Sequence, residues 1–187
     1  MPQRPAQPSG ALPCRRFKII MQKALFLDRD GVVNVEKNYL HKIDDFELMD
    51  GIVEVCRSYQ EQGYAIIVVT NQSGISRGYY SEEDFRHLSQ WMIGHFKELG
   101  ITITRIYHCP HHESIDGTCE CRKPEPGMFL KAQREYELDM DHSVMIGDNE
   151  RDIEAARRAG VGMNFLLSEE ASDSKADRII KSLRELL

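Results

Sequence analysis

Three short apolar runs each end in a polar residue, and this constrains the fold more than anything else in the chain. Lys23–Leu27 runs into Asp28, Tyr64–Val69 into Thr70, and Val144–Ile146 through Gly147 into Asp148. Runs of this length, bounded by turn formers, read as strands buried on both faces. Ile103–Tyr107 and Met163–Leu167 read the same way. Between them lie stretches of helical spacing. Ile52, Val55, Cys56 and Tyr59 share a face that stops at Gly63. Phe85, Leu88, Met92, Phe96 and Leu99 share another, opened by a capping box at Ser81 and Asp84 and closed by Gly100. Gly127–Tyr136 and Arg151–Ala159 read as further helices, with a terminal helix from about Lys175. Buried strands alternating with amphipathic helices predict an α/β fold: a Rossmann-like three-layer sandwich around a parallel sheet.

The 187 residues suit one domain, expected over 22–187 with a loop of its own at 108–122. Residues 1–21 read as a poorly ordered leader, with Met21 a candidate natural start. A net charge of −6 without a basic stripe argues against nucleic-acid binding. No apolar run approaches the roughly 18 residues of a membrane span, and the first 13 residues lack a signal-peptide centre. The expectation is a cytoplasmic monomer acting on a phosphorylated small molecule, with no membrane or nucleic-acid partner.

In a parallel sheet, ligands gather at the carboxyl ends of strands, so Asp28, Thr70 and Asp148 should face one crevice. A single aspartate after a strand is most often a turn residue or a helix cap. Three strand ends set in dense polar motifs point to chemistry. Asp28 can attack phosphorus to form an acyl phosphate. Asp30 can protonate the leaving oxygen and later deprotonate water. Two carboxylates beside a phosphate dianion require a cation, and hard oxygen ligands suit magnesium, with Asp148 the third ligand after Asp28 and Asp30. Asp152, one turn further on, is either a second layer behind the metal or a helix-dipole partner. Thr70, Asn71, Gln72 and Ser73 offer hydrogen bonds to phosphoryl oxygens. Arg122 and Lys123 add positive charge, with Lys123 neutralising the acyl phosphate.

Of five cysteines, Cys14 lies in the leader and Cys56 on an apolar helix face, where a buried free thiol is the plain reading. Cys109, Cys119 and Cys121 cluster near histidines, which suggests metal before disulfide. Three thiolates and one imidazole make a closed tetrahedral site, hence structural zinc. His108, His111 and His112 compete for the nitrogen position.

These signatures, Asp28-Arg29-Asp30-Gly31, Thr70-Asn71-Gln72, Lys123 and Gly147-Asp148 with Asp152, resemble those of haloacid dehalogenase (HAD) superfamily phosphatases from about Lys23 onward. The resemblance implies Asp28 as nucleophile, Asp30 as acid/base and Asp148 as a magnesium ligand, on a HAD-like core without a large cap domain. Thr70–Gly78, Cys109-Pro110-His111-His112 and Cys119–Pro124 narrow it to the D-glycero-D-manno-heptose 1,7-bisphosphate 7-phosphatases. That family supplies heptose for lipopolysaccharide core and related surface glycans. It implies His111 as the zinc nitrogen, catalytic roles for Asp28, Asp30, Thr70 and Lys123, and substrate contacts from Glu36, Lys37, Asn38, Tyr39, Thr70, Asn71, Gln72, Ser73, Arg122, Lys123 and Asn149. Histidinol-phosphate phosphatase, which shares the nucleophile and zinc loops, is the alternative. Ser76-Arg77-Gly78 and Tyr39–Phe46 favour the heptose enzymes. Val32 stands where many members carry Thr, and Asn149 stands where the heptose enzyme has Lys. Intact Asp28, Asp30, Lys123 and Asp148 argue against a binding module that has lost catalysis, and the acidic charge argues against a nucleic-acid 3′-phosphatase.

Overall fold

A computed structural model describes residues 21–171 and 173–187. The expected leader, including Cys14, falls almost wholly outside them. Six parallel strands form one sheet: β1 (Ala24–Leu27), β2 (Ala65–Asn71), β3 (Ile103–Cys109), β4 (Val144–Gly147), β5 (Met163–Leu167) and β6 (Arg178–Ile180). Their spatial order is β3-β2-β1-β4-β5-β6. The chain builds outward from β1 in one direction, then returns and builds outward in the other. The reversal lies between β1 and β4, where Phe26 pairs with Met145. At such a switch point adjacent connections diverge and leave a crevice at the strand ends. Asp28 follows β1 and Asp148 follows β4, so topology alone brings them side by side.

Residue alternation along the strands divides the core into two layers. Leu25, Leu27, Ile66, Val68 and Ile146 face α1 (Ile52–Glu61) and α2 (Glu82–Glu98), meeting Ile52, Val55, Met92 and Phe96. Ala24, Phe26, Ile67, Val69 and Met145 face the opposite way. There they meet Met128 and Phe129 of α4 (Gly127–Tyr136) and Ala155 and Ala156 of α5 (Glu150–Arg158), with α3 (Glu113–Asp116) a single turn in the loop after β3. The three-layer parallel sandwich matches the expectation. The capping box at Ser81 and Asp84 is present: each side chain bonds the other's main-chain amide. Among the described residues no helix is long and apolar enough to cross a membrane.

The C-terminus departs from the expected helix. Arg178–Ile180 extends the sheet beside β5, and a 3-10 turn at Leu183–Leu186 follows. Two physical reasons account for it. Ile179 and Ile180 are β-branched and favour a strand, and Ile180 gains full burial there. Asp177 then anchors the segment, accepting from the main-chain and side-chain amides of Asn164.

Candidate active site

The crevice is organised around Lys123. Its ammonium is fully buried and reaches Asp28 Oδ1 at 2.9 Å, Asp152 Oδ1 at 2.8 Å and the carbonyl of Val69 at 2.8 Å. Burial alone would discourage the charge, but Asp152 and Asp28 more than offset it, and the ammonium holds its proton above the ordinary lysine value. Asp28 Oδ1 also accepts from the Arg29 amide at 2.7 Å. Its other oxygen is left to face the crevice. Burial, opposed by Lys123 and reinforced by Asp152 and Asp148, pushes the Asp28 carboxyl up to about 8. Burial and Asp152 likewise push Asp148 up to about 7, against Lys123 and Arg151.

Asp28, Asp148 and Asp152 each present a carboxylate oxygen within 4.8 Å of the others. Three crowded acids facing one ammonium leave an excess of negative charge, and a hard divalent cation fits that donor set. Gly31 adopts φ +84° against this cluster, and any Cβ there would collide with the Asp148 carboxylate. The loop can approach Asp148 only as glycine.

The Asp30 carboxylate belongs to a different group. Arg29, itself buried, holds both its oxygens through Nε and Nη2 at 2.9–3.1 Å. Asn34 donates to Oδ1 at 3.1 Å and Gln72 to Oδ2 at 2.9 Å. Asp30 was expected beside Asp28 and Asp148 around the cation, yet its side chain is turned from that cluster and Asp152 stands there instead. The cause is Arg29, whose planar fork matches a carboxylate.

Asp30 opens onto a cavity of about 300 Å³ lined also by Glu36, Asn38, Tyr39, Asn71, Gln72, Ser73, Arg77, Tyr80, Arg122 and Arg151. Most of the expected substrate contacts therefore share one wall. Two do not. Lys37 turns to Glu47 at 3.1 Å, and the Asn149 side chain caps α5 by accepting from the Arg151 amide. Two more reach the cavity with their side chains already occupied. Asn71 exchanges two 3.1 Å hydrogen bonds with the main chain of Lys123. Gln72 is spent on protein partners, as its bonds to Asp30 and Thr70 Oγ1 show. Arg77, Arg151 and Tyr80 were not expected. Arg77 sits in the quoted Thr70–Gly78 motif and Arg151 directly after Asn149-Glu150, so both were within sight; nothing in the sequence marked Tyr80.

The zinc-type cluster assembles as the spacing implied. Sγ atoms of Cys109, Cys119 and Cys121 lie 3.1–3.6 Å apart, and His111 Nδ1 lies 3.3 Å from Cys121 and 3.5 Å from Cys109. These are close to the edges of a tetrahedron with bonds of roughly 2.0–2.3 Å. The rival histidines are engaged elsewhere, His108 with Glu82 at 2.8 Å and His112 with Arg77 and Ser114.

Known proteins are similar to this chain over most of its length. D-glycero-alpha-D-manno-heptose-1,7-bisphosphate 7-phosphatase of Campylobacter jejuni is 50% identical over 165 residues, spanning 88% of this chain and 94% of its own. The chain belongs to the heptose-1,7-bisphosphate 7-phosphatase family. The beta-anomer enzyme of Yersinia pestis is 43% identical over 173 residues, 87% of this chain and 92% of its own. The broader HAD-hydrolase-like family matches residues 120–186. The D,D-heptose 1,7-bisphosphate phosphatase of B. bronchiseptica, solved with magnesium and phosphate, superposes with a TM-score of 0.77 at 28% identity, covering 87% of this chain and 94% of that one. Magnesium in that relative agrees with the carboxylate cluster here, and the heptose phosphatase family gives the Rossmann-like fold its HAD-like identity.

A pH dependence follows from the two raised carboxyls. A carboxyl that binds its proton more tightly folded than unfolded stabilises the fold at low pH and loses that contribution as pH climbs from its unfolded value of roughly 4. For Asp28 the loss runs through about 8, and for Asp148 through about 7. Metal-free protein should therefore melt lower at pH 8.5 than at pH 5.5, as far as these two groups decide it. Magnesium competes with the same protons, so the rise in melting temperature on adding it should be larger at pH 8.5. Thermal unfolding with and without magnesium at both values checks this; an equal rise at both would contradict it.

Proposed function

We propose that this chain removes the 7-phosphate of D-glycero-D-manno-heptose 1,7-bisphosphate by way of an aspartyl phosphate on Asp28. The observation that carries the substrate assignment is the cavity beside Asp30, whose lining includes three arginines, Arg77, Arg122 and Arg151. A monophosphate delivered to Asp28 leaves those charges without a counterpart. A bisphosphate supplies a second dianion, and arginine forks recognise phosphate through paired hydrogen bonds.

The chemistry follows from the side chains. The free oxygen of Asp28 attacks phosphorus as the bond from phosphorus to the sugar oxygen breaks, and Asp30 passes its proton to that oxygen. Lys123 balances charge on Asp28 throughout, and the Thr70 hydroxyl, buried beside it, can donate to a phosphoryl oxygen. In the second half Asp30 takes a proton from water. The water oxygen bonds to phosphorus, the bond to Asp28 breaks, and phosphate leaves. Magnesium would be held by Asp28 and Asp148, with Asp152 behind them, and would neutralise the phosphoryl oxygens. With its carboxylate engaged by Arg29, Asp30 has only its main-chain oxygen to offer a cation. Cys109, His111, Cys119 and Cys121 hold zinc in a closed, structural site within the loop 108–122, and residues 22–187 act as one catalytic domain, a cytoplasmic monomer.

Three measurements test this reading. Against a panel of heptose 1,7-bisphosphate, heptose 7-phosphate and histidinol phosphate, kcat/KM for the bisphosphate should lead by at least about tenfold, the worth of one charge-assisted pair; equal values would remove the role of the arginines. Asp28→Asn should cost at least about a thousandfold, and rapid quenching of wild type should show a phosphate-sized mass increase on the Asp28 peptide. Turnover surviving in the variant would reject Asp28 as nucleophile. Protein purified without chelator should carry close to one zinc per chain, retained when mild EDTA reversibly stops turnover. Cys119→Ser should lose zinc and thermal stability together, whereas zinc-free, fully active wild type would reject the metal site.

A further inference from the structure

Gln72 was expected to hold substrate, but every polar atom of its amide is committed within the protein. Nε2 donates to Asp30 Oδ2 and to Thr70 Oγ1, both at 2.9 Å. Oε1 accepts the Tyr80 hydroxyl. Nε2 is the amide's donor and Oε1 its acceptor, so the nitrogen faces Asp30 Oδ2 and the oxygen faces the Tyr80 hydroxyl. Gln72 is 2% exposed and Tyr80 is 7% exposed. Burial pushes the Tyr80 phenol up to about 12, which keeps the donated proton in place.

Tyr80 is in turn fixed from two sides. Its ring stacks on His41 at 5.1 Å, in the segment that carries Tyr39 into the cavity. The other side rests on Gly74, where a Cβ would have no room beside the Tyr80 ring. A continuous buried chain thus runs from the His41 segment through Tyr80 and Gln72 to Asp30, opposite the Arg29 fork.

We infer that Gln72 and Tyr80 are positioning residues for the acid/base Asp30, and not substrate ligands. Arg29 grips both carboxylate oxygens and Asn34 adds a bond to Oδ1. The Gln72 amide supplies the further hold on Oδ2, which ties the orientation of Asp30 to Tyr80 and keeps it apart from the like-charged Asp28, Asp148 and Asp152. This rests on the acid role of Asp30 proposed above.

The test compares leaving groups. A nitrophenolate departs without a proton, whereas a sugar alkoxide needs one, so a misplaced acid hurts the sugar substrate selectively. Reading kcat/KM confines the comparison to phosphoryl transfer onto Asp28, because the leaving group departs irreversibly in that step. Tyr80→Phe, which keeps the ring and its stacking, should lower kcat/KM for heptose 1,7-bisphosphate roughly tenfold, a part of the roughly 10²–10⁴ that a general acid supplies. With p-nitrophenyl phosphate it should change by less than about twofold, within what such a remote hydroxyl contributes without the acid. Gln72→Met should lose more with the sugar substrate than with p-nitrophenyl phosphate, on top of a loss common to both, because the same amide holds Thr70. Melting temperatures identify any variant that fails to fold, and Tyr80→Phe carries the test if Gln72→Met does. Asp30→Asn run in parallel separates the two ideas. If Asp30→Asn loses both substrates equally, the acid assignment falls and the inference with it. If Asp30→Asn is selective while Tyr80→Phe affects neither substrate, or both alike, the positioning role is overturned and Asp30 keeps its own.

Discussion

Everything in the crevice depends on one buried ammonium. Lys123 contributes a single positive charge to a place where Asp28, Asp148 and Asp152 converge. Its three contacts come from the end of β1, the interior of β2 and the first turn of α5. Removing one partner from such a group leaves uncompensated buried charge, which costs about 3–5 kcal/mol. Through Asp28 and Asp152 the same ammonium fastens the end of β1 to α5. The electrostatics of the crevice and local stability are not separable at this position.

Two sets of carboxylates divide the labour. Asp28, Asp148 and Asp152 are gathered around Lys123, and burial with the neighbouring negative charge raises Asp28 and Asp148, a setting that favours a cation. Asp30, two residues along, is turned into a separate shell of Arg29, Asn34 and Gln72. β1 ends at Leu27, so the two acids lie beyond the strand, and the Arg29 fork holds Asp30 in its own direction. A dyad of adjacent carboxylates thus avoids sharing one environment.

The fold and the centre of the site were legible because they depend on period and spacing. Alternating apolar runs determined the three layers, strand ends located Asp28, Thr70 and Asp148, and the clustering of Cys109, Cys119 and Cys121 near histidines pointed to the group of side chains that gathers there. What escaped were directions of side chains. Asp30 reads as a third cation ligand in the linear motif, and only the Arg29 fork shows otherwise. Asn71 and Gln72 look like phosphate ligands, yet the partners that occupy them, Lys123 and Tyr80, lie 52 and 8 residues away. The C-terminal segment escaped for another reason. Ile179 and Ile180 lie in a short stretch whose polar surroundings suggest helix as readily as strand, and the burial offered by β5 decides between them.

The pair of hydrogen bonds between Asn71 and the main chain of Lys123 has a consequence for how such a chain can change length. Upstream of Cys119, the segment 112–118 is a surface excursion tied down by few contacts, and residues could be gained or lost there with modest entropic cost. Between Cys121 and Lys123 no such freedom exists. Cys121 Sγ is held by its cluster on one side and the lysine by Asn71 on the other, so one inserted residue would push the chain by about 3.8 Å. That is more than the whole length of any bond Lys123 makes. Variation in this loop is thus confined to its outer half, and Arg122, the single residue between the last cysteine and Lys123, forms a spacer of fixed length.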